Sequence, residues 1–407
     1  MLFILNKNNM HYSRRNFLKT SGLLSASMAL PQFLQAQNRQ NNAPGNDNIL
    51  VVIQLSGGND GLNMLVPYEN DIYYNARPKI ALKKQEIIPL KSSIGLHPAL
   101  KDFKKFYDAG NLTVLFDVGY PNPDRSHFRS MDIWHTASAA EDYLHTGWLG
   151  RYLDEKQNPD AKLTRAFEID DSLSLALKGE NYKAMAFTNA KKLDAQIADP
   201  LFKLLHKAEE EHEGTAAYLY KTFADTMQSA DYIYQTVKPV SSAKTYPNSA
   251  FGKGMKTIVE LIISGIETQV YYISLGSFDT HNNQQKRQAD LFEQLNNSLA
   301  VFYEDIKQQA GSRNVTTMIF SEFGRRVEEN ASMGTDHGAA NPVLLIGNNL
   351  KTEGYYNSPS DLKDLDEGDL KYRINFRDIY ATVLNDYLKT DAARIIDKKD
   401  FVKMNLF

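Results

Sequence analysis

Ile49-Leu50-Val51-Val52-Ile53-Gln54-Leu55 runs directly into Ser56-Gly57-Gly58-Asn59-Asp60-Gly61. An unbroken apolar run ending in a glycine-rich turn reads as a strand buried on both faces, with a polar side chain at its carboxyl end. The pattern recurs twice. Tyr271-Tyr272-Ile273-Ser274-Leu275 leads to Phe278-Asp279-Thr280-His281, and Thr316-Thr317-Met318-Ile319-Phe320 leads to Ser321-Glu322-Phe323-Gly324-Arg325-Arg326. Open α/β sheets build their sites at the carboxyl ends of the strands. These ends, far apart in sequence, are therefore expected to meet along one edge of a sheet. Carboxylates and imidazoles gathered there point to a divalent-metal site.

Working outward, residues 112–119 read as a second buried strand. The stretch from His97 to Phe106 reads as a helix, with apolar residues at Leu100, Phe103 and Phe106. Strand, helix, strand predicts parallel pairing of 49–56 with 112–119 through a right-handed crossover. A helix is predicted from Ser126 through Trp134. Residues 151–265 have a different texture: a strand near Thr164–Ile169, a long charged helical stretch over 195–236, and the end of an amphipathic helix at 258–265. This block reads as a mainly helical insertion. The α/β rhythm then resumes with a strand from Gln269, a helix over Gln284–Gln309, strands at 315–320 and 343–346, and a closing helix over 376–388. The expectation is a three-layer α/β/α domain over 49–407 with a mostly parallel sheet.

The first 36 residues read as an address rather than as fold. Ser13-Arg14-Arg15-Asn16-Phe17-Leu18-Lys19 has the order of a twin-arginine export signal, and a diluted apolar stretch follows from Ser21 to Phe33. That stretch is too short for a membrane span, which needs about 20 apolar residues. Residues 37–48 are polar and read as a flexible leader. The twin-arginine translocase is thus the expected partner in export, and the periplasm or another exported location the expected destination. The chain has 407 residues, a net charge of −3 and no cysteine. The charge gives no footprint for nucleic acid. The missing cysteines exclude disulfides, a thiolate nucleophile and Cys-type metal sites, so any metal must be held by oxygen and imidazole.

Several residues are candidates for chemistry, each with a plain alternative. Asp60 among its glycines is either a ligand or an Asx-turn closing the strand. Asp279 and His281, two apart after a strand, can both face one ion, or else cap a helix and sit on the surface. Glu322 is either a ligand or the ion-pair partner of an arginine, and Arg325 is a candidate for gripping an anionic substrate. Asp336-His337, inside Gly334-Thr335-Asp336-His337-Gly338, is hard to explain by packing. Ser126, at the start of a predicted helix, is the candidate nucleophile, although serine is also an ordinary N-cap. His127 beside it is a base, a ligand or a filler. No G-x-S-x-G elbow exists in the chain, which argues against an α/β-hydrolase. The G-x-G-x-x-G spacing of a dinucleotide site is also missing.

Taken in order, the twin-arginine leader, Ser56-Gly57-Gly58-Asn59-Asp60-Gly61, Arg125-Ser126-His127-Phe128, Gly147-Trp148-Leu149-Gly150-Arg151, Phe278-Asp279-Thr280-His281, Ser321-Glu322-Phe323-Gly324-Arg325 and Gly334-Thr335-Asp336-His337-Gly338 resemble the bacterial domain-of-unknown-function family 1501. That family is grouped with the alkaline-phosphatase-like superfamily of phosphatases and sulfatases. The resemblance implies an alkaline-phosphatase-like fold. It implies Asp60, Asp279, His281, Glu322, Asp336 and His337 as metal ligands, Ser126 as nucleophile, and Arg325 and His127 in support. Zinc is the leading expectation for the ion, with manganese or calcium as alternatives. Phe323 stands where the superfamily carries a second ligand, which puts one of two metal sites in doubt. Two functions follow as expectations: an exported metal-dependent hydrolase of phosphate or sulfate esters acting on a small anionic substrate, or a catalytically silent scaffold of the cell envelope.

Overall fold

The structure, a computed structural model, describes residues 48–156, 165–182, 184–193, 229–310, 313–398 and 400–407. The predicted export signal, most of the leader and most of the charged stretch 195–236 lie outside the described residues. Among the described residues, no helix is long and apolar enough to cross a membrane.

One nine-stranded sheet organises the chain. Its strands are β1 (Asn48–Leu55), β2 (Leu112–Gly119), β3 (Ala166–Glu168), β4 (Met185–Ala186), β5 (Val270–Leu275), β6 (Asn314–Phe320), β7 (Asn341–Gly347), β8 (Gly354–Tyr355) and β9 (Ile374–Asn375). The order is β8-β2-β7-β6-β1-β5-β3-β4, with β9 also pairing β2. All pairings are parallel except those of β7, which runs antiparallel to both β2 and β6. The mixed α/β fold with a mostly parallel sheet is thus as expected.

The predicted pairing of the first two long strands is not found. β6 and β7 lie between β1 and β2. The two strands do share a direction, because two antiparallel steps restore it. The crossover rule fixes handedness and direction, not adjacency, and the later strands β6 and β7 take the intervening places.

The apolar run of β1 packs on both sides, as its sequence requires. Ile49, Val51, Ile53 and Leu55 enter one core layer, and Leu50 and Val52 enter the other. The first layer is covered by α1 (Lys101–Asp108), α4 (Ala250–Ile263) and α5 (Gln284–Gln309). The second is covered by α2 (His127–Thr136), α3 (Trp148–Glu155) and α6 (Phe376–Thr382). In that layer Trp134 stacks on Phe320 at 5.0 Å and on Phe376 at 4.3 Å between ring centroids. Offset aromatic contacts at this spacing add to the area buried. Within 151–265, β3 and β4 extend the main sheet and α4 packs on its face, so these parts belong to the core.

α2 begins at His127, with Ser126 in the N-cap position, and runs two residues beyond its predicted end. α5 matches its predicted range. The last predicted helix continues past Thr382 as a π-helical turn, Val383–Tyr387.

Glu168 ends β3 inside the second layer and is 3 % exposed. Burial pushes its carboxyl up to about 8, against the pull of the Ser174 N–H, which donates to it at 2.6 Å. The folded state therefore holds this proton where the unfolded chain has already lost it. That contribution to stability is complete below the unfolded carboxyl pKa and drains away as pH rises towards about 8. Glu168→Gln should flatten this loss, so that urea midpoints measured from mildly acidic to mildly alkaline pH fall less in the variant than in the parent. Parallel curves would contradict the assignment.

Candidate metal centre

The loops leaving β1, β5 and β6 and the loop entering β7 come together at one end of the sheet. Glycine makes the close approach possible at two points. Gly57 has φ +117°, and a Cβ there would lie 2.4 Å from the Asp279 backbone nitrogen. A Cβ on Gly334 would lie 2.3 Å from the His281 carbonyl carbon. The turn after β6 then pairs with the loop before β7, bridging Arg325 and His337.

Asp279 is the hub. Its Oδ1 lies 3.0 Å from His281 Nε2, 3.3 Å from His337 Nε2 and 3.5 Å from His127 Nε2. The His281 and His337 Nε2 atoms are 2.9 Å apart. His127, Asp279 and His337 offer ligand atoms all within 4.8 Å of one another.

Each imidazole has its other nitrogen engaged by an oxygen. His127 Nδ1 is 2.9 Å from Glu322 Oε1, His281 Nδ1 is 3.1 Å from Asp336 Oδ1, and His337 Nδ1 is 2.7 Å from the Arg125 carbonyl. An imidazole that donates from Nδ1 keeps a lone pair on Nε2. With Nδ1 so engaged, each ring turns its Nε2 towards Asp279 Oδ1. His127 Nε2 is buried and makes no hydrogen bond. Phe323 is 1 % exposed and its ring packs against both His127 and His337, at centroid distances of 4.8 and 4.7 Å. It packs beside those two rings, which themselves meet edge to face at 4.4 Å, and offers no donor atom.

The electrostatics follow from this arrangement. Partial burial opposes ionisation of Asp279, but the Arg325 hydrogen bond and charge, aided by His337 and His281, hold its carboxyl at about 2. His127 is raised, chiefly by its hydrogen bond to Glu322. His337 is lowered, chiefly by burial. Asp336 is lowered, first by the Asn330 amide that donates to it at 3.1 Å.

The sequence candidates sort into distinct places. Asp279, His281 and His337 stand together with His127. Glu322 and Asp336 were expected as ligands, but each backs a histidine instead. Glu322 is fully buried, and its Oε1 also accepts the Gly57 N–H at 2.7 Å.

Arg325 was expected to grip an anion, and its geometry forbids that. The side chain is buried and donates to the carbonyls of Gly57, Gly58, Phe278 and Thr335 and to Asp279. Ser126 is exposed at the N-cap of α2 without a capping bond from its hydroxyl, and its N–H donates to Asp124 Oδ1 at 2.7 Å.

Asp60 does not join the group. It is 1 % exposed, pairs with Arg77 at 2.6 Å, accepts from Gln284, and caps Leu62 N at 3.1 Å. The Asx-turn reading describes it. Arg77 and Gln284 carried no signal in the sequence, because an arginine before a proline and a glutamine opening a helix are common in structural roles. His127 was visible as a candidate, but only the fold turns its Nε2 towards Asp279.

The chain belongs to the family described as "Protein of unknown function (DUF1501)", whose model matches residues 116–400. No curated protein matches it. Among solved structures it is similar to the C-terminal periplasmic domain of EptC from Escherichia coli in complex with Zn, at 11% identity and TM-score 0.38, covering 79% of this chain and 78% of that one. It is also similar to the lipoteichoic acid synthase LtaP from Listeria monocytogenes, at 7% identity and TM-score 0.40, covering 92% and 79%. A protein in the alkaline phosphatase superfamily from Vibrio parahaemolyticus matches at 7% identity and TM-score 0.34, covering 93% and 76%. Similarity at these scores is too shallow to carry an activity across.

Removing one partner of a buried ion pair typically costs about 3–5 kcal/mol, because the other charge is left uncompensated. Asp60→Ala should therefore lower the denaturant midpoint sharply, since Arg77 is fully buried. The variant's stoichiometry for added zinc should match that of the parent. Loss of zinc binding at full folding would return Asp60 to the ligand set.

Proposed function

We propose that this protein is an exported, divalent-metal-dependent hydrolase of phosphate or sulfate esters. The observation that carries the reading is the convergence of three Nε2 atoms and one carboxylate oxygen. Zinc bonds to nitrogen and oxygen at about 2.0–2.1 Å, so a tetrahedral set around it has ligand–ligand edges of about 3.3–3.4 Å. Four separations among these atoms run from 2.9 to 3.5 Å, and His127, Asp279 and His337 offer three ligand atoms all within 4.8 Å of one another. The donor set also fits the chemistry. It is imidazole and carboxylate, it includes an orphaned buried nitrogen at His127, and each imidazole is tautomer-locked by an oxygen behind it, as metal-binding histidines usually are.

His127, Asp279 and His337 would hold the ion, leaving a fourth position for substrate, with His281 beside them and Glu322, Asp336 and the Arg125 carbonyl orienting the imidazoles. When bound, a divalent ion supplies a Lewis acid beside a non-bridging or leaving oxygen. The chain supplies the rest. Ser126 Oγ, exposed and free of a capping bond, stands next to ligand-bearing His127 and is the group to attack phosphorus or sulfur. The unpaired N–H groups of the first turn of α2 favour negative charge developing there. Asp124 pins this turn through the Ser126 N–H. The order of motifs shared with the alkaline-phosphatase-like superfamily supports the reaction type. The residues Ser13 to Lys19 support export by the twin-arginine route.

Purified protein should carry about one zinc per chain by elemental analysis. Chelation should lower its melting temperature, because an ion that binds only the folded state stabilises it. The zinc form should hydrolyse an aryl phosphate or an aryl sulfate, and Ser126→Ala should abolish turnover while retaining the metal. A folded protein with no stoichiometric metal and a melting temperature indifferent to chelator would favour the scaffold reading.

A further inference from the structure

Large apolar side chains left in water are not spread evenly over this molecule. Among the described residues they are Phe128, Tyr143, Leu144, Met333, Tyr372 and Val402. Single exposed apolar residues are ordinary, but all of these except Val402 sit on segments at the metal-centre end of the sheet. Phe128 follows His127 in the first turn of α2. Arg129 comes next, its guanidinium carbon 3.8 Å from the Tyr143 ring centroid, and Leu144 follows that tyrosine. Met333 precedes Gly334, which abuts the His281 carbonyl. Tyr372 packs its Cβ over Gly119, the last residue of β2.

Phe128 is the most exposed of them, at 81 %, and it stands two residues from Ser126. Its place follows from helix geometry. Residues three and seven positions further on share its side of α2. They are Met131, whose Sδ accepts from Ser56 Oγ at 3.9 Å, and His135, whose Nε2 lies 2.9 Å from Gln54 Oε1. That row faces the carboxyl end of β1. Phe128 extends it by one turn towards the start of α2, and helical side chains lean towards the N-terminus, so the ring is carried to the Ser126 end of the helix. Next to β1, the loop after β5 is open. Gly276 and Ser277 are exposed, and a Cβ on Gly276 would meet nothing within 4 Å. Asp279 follows two residues after Ser277. An apolar group on a substrate held at Asp279 and His127 therefore has an uncovered aromatic face beside it. Covering that face removes apolar area of both partners from water.

We infer that Phe128 determines specificity: it receives an apolar group on the alcohol side of the ester, so the site favours esters of bulky aryl or alkyl alcohols over those of small ones. The position of the ring, on the turn that carries Ser126 and His127, favours a substrate as its occupant over a second copy of the chain. The inference rests on the metal-centre reading above and names the substrate class of that same site.

The test uses two probes of equal charge, benzylphosphonate and ethylphosphonate, in which a methylene replaces the bridging oxygen so that neither is cleaved there. Their binding to the zinc-loaded full chain is measured by calorimetry, with zinc content, melting temperature and oligomeric state determined on the same samples. Benzylphosphonate should bind about tenfold tighter. Phe128→Ala should remove most of that preference at unchanged zinc content and melting temperature, because the ring is exposed. Phe128→Trp should keep it. Val402→Ala, which truncates an exposed apolar side chain outside the loops of the centre, should leave it untouched. Equal binding of the two probes to a zinc-replete protein, or a preference that survives Phe128→Ala, would overturn the inference and leave the metal centre standing. A dimer that Phe128→Ala dissociates would do the same, since the ring would then be an interface between copies. Absence of zinc would overturn the inference together with the reading beneath it. Zinc at full occupancy with no binding of either probe would overturn the inference and the ester chemistry alike.

Discussion

The guanidinium of Arg325 sits at the middle of the structure's working end, out of water, with its donors aimed at the carbonyls of residues 57, 58, 278 and 335 and at the Asp279 carboxylate. Those acceptors belong to the loops after β1 and β5 and the loop before β7. Few backbone hydrogen bonds join these loops, Phe278 N–H to the Ser56 carbonyl at 3.1 Å and Thr335 N–H to the Thr280 carbonyl at 3.4 Å among them, and each carries further backbone oxygens that would be costly to bury unpaired. One planar fork satisfies them at once and places Asp279 where the histidines converge. The same contact explains why Asp279 stays ionised despite partial burial. A lysine could neutralise that carboxylate, but its single ammonium cannot span carbonyls on three loops.

The geometry of the centre is enforced from behind. Each histidine reaches Asp279 through Nε2 because an oxygen holds its Nδ1, and those oxygens are themselves fixed. Glu322 is anchored by the Gly57 amide. Asp336 is anchored by Asn330, whose amide also donates to the His281 carbonyl at 2.9 Å. The Arg125 carbonyl is presented by the turn that starts α2. Phe323 packs against two of the rings. A cluster assembled this way would be organised before any ion arrived, and little ordering would be left to oppose binding.

Much of this was legible in the sequence, and the gaps have physical reasons. Buried strands announce themselves through apolar runs such as 49–55, and carboxyl ends announce themselves through the glycines and acids that follow. That was enough for the layers, for most of the elements described and for the region of the site. Strand neighbours were not legible, because the apolar runs of β1 and β2 are the same whichever strand lies beside them. Nor could the sequence divide the acids by role. Asp60, Asp279, Glu322 and Asp336 all follow or adjoin a strand end, yet one is locked to Arg77, one faces the histidines and two stand behind them. What separates them is the partner each finds: Arg77 for Asp60, His127 for Glu322 and His281 for Asp336 lie 17, 195 and 55 residues away.

This division of labour among like residues has a consequence for chemistry. Acids recruited to orient imidazoles are also charges, and they cannot do the first without imposing the second. Glu322 and Asp336 fix two tautomers by accepting hydrogen bonds, and in doing so they spend the positive charge that a divalent ion would bring. Phe323, packed against two of the rings, adds no donor atom to the cluster. The orientation of the histidines and the charge around them are therefore a single property of the loops that Arg325 ties together, and a change to one alters the other.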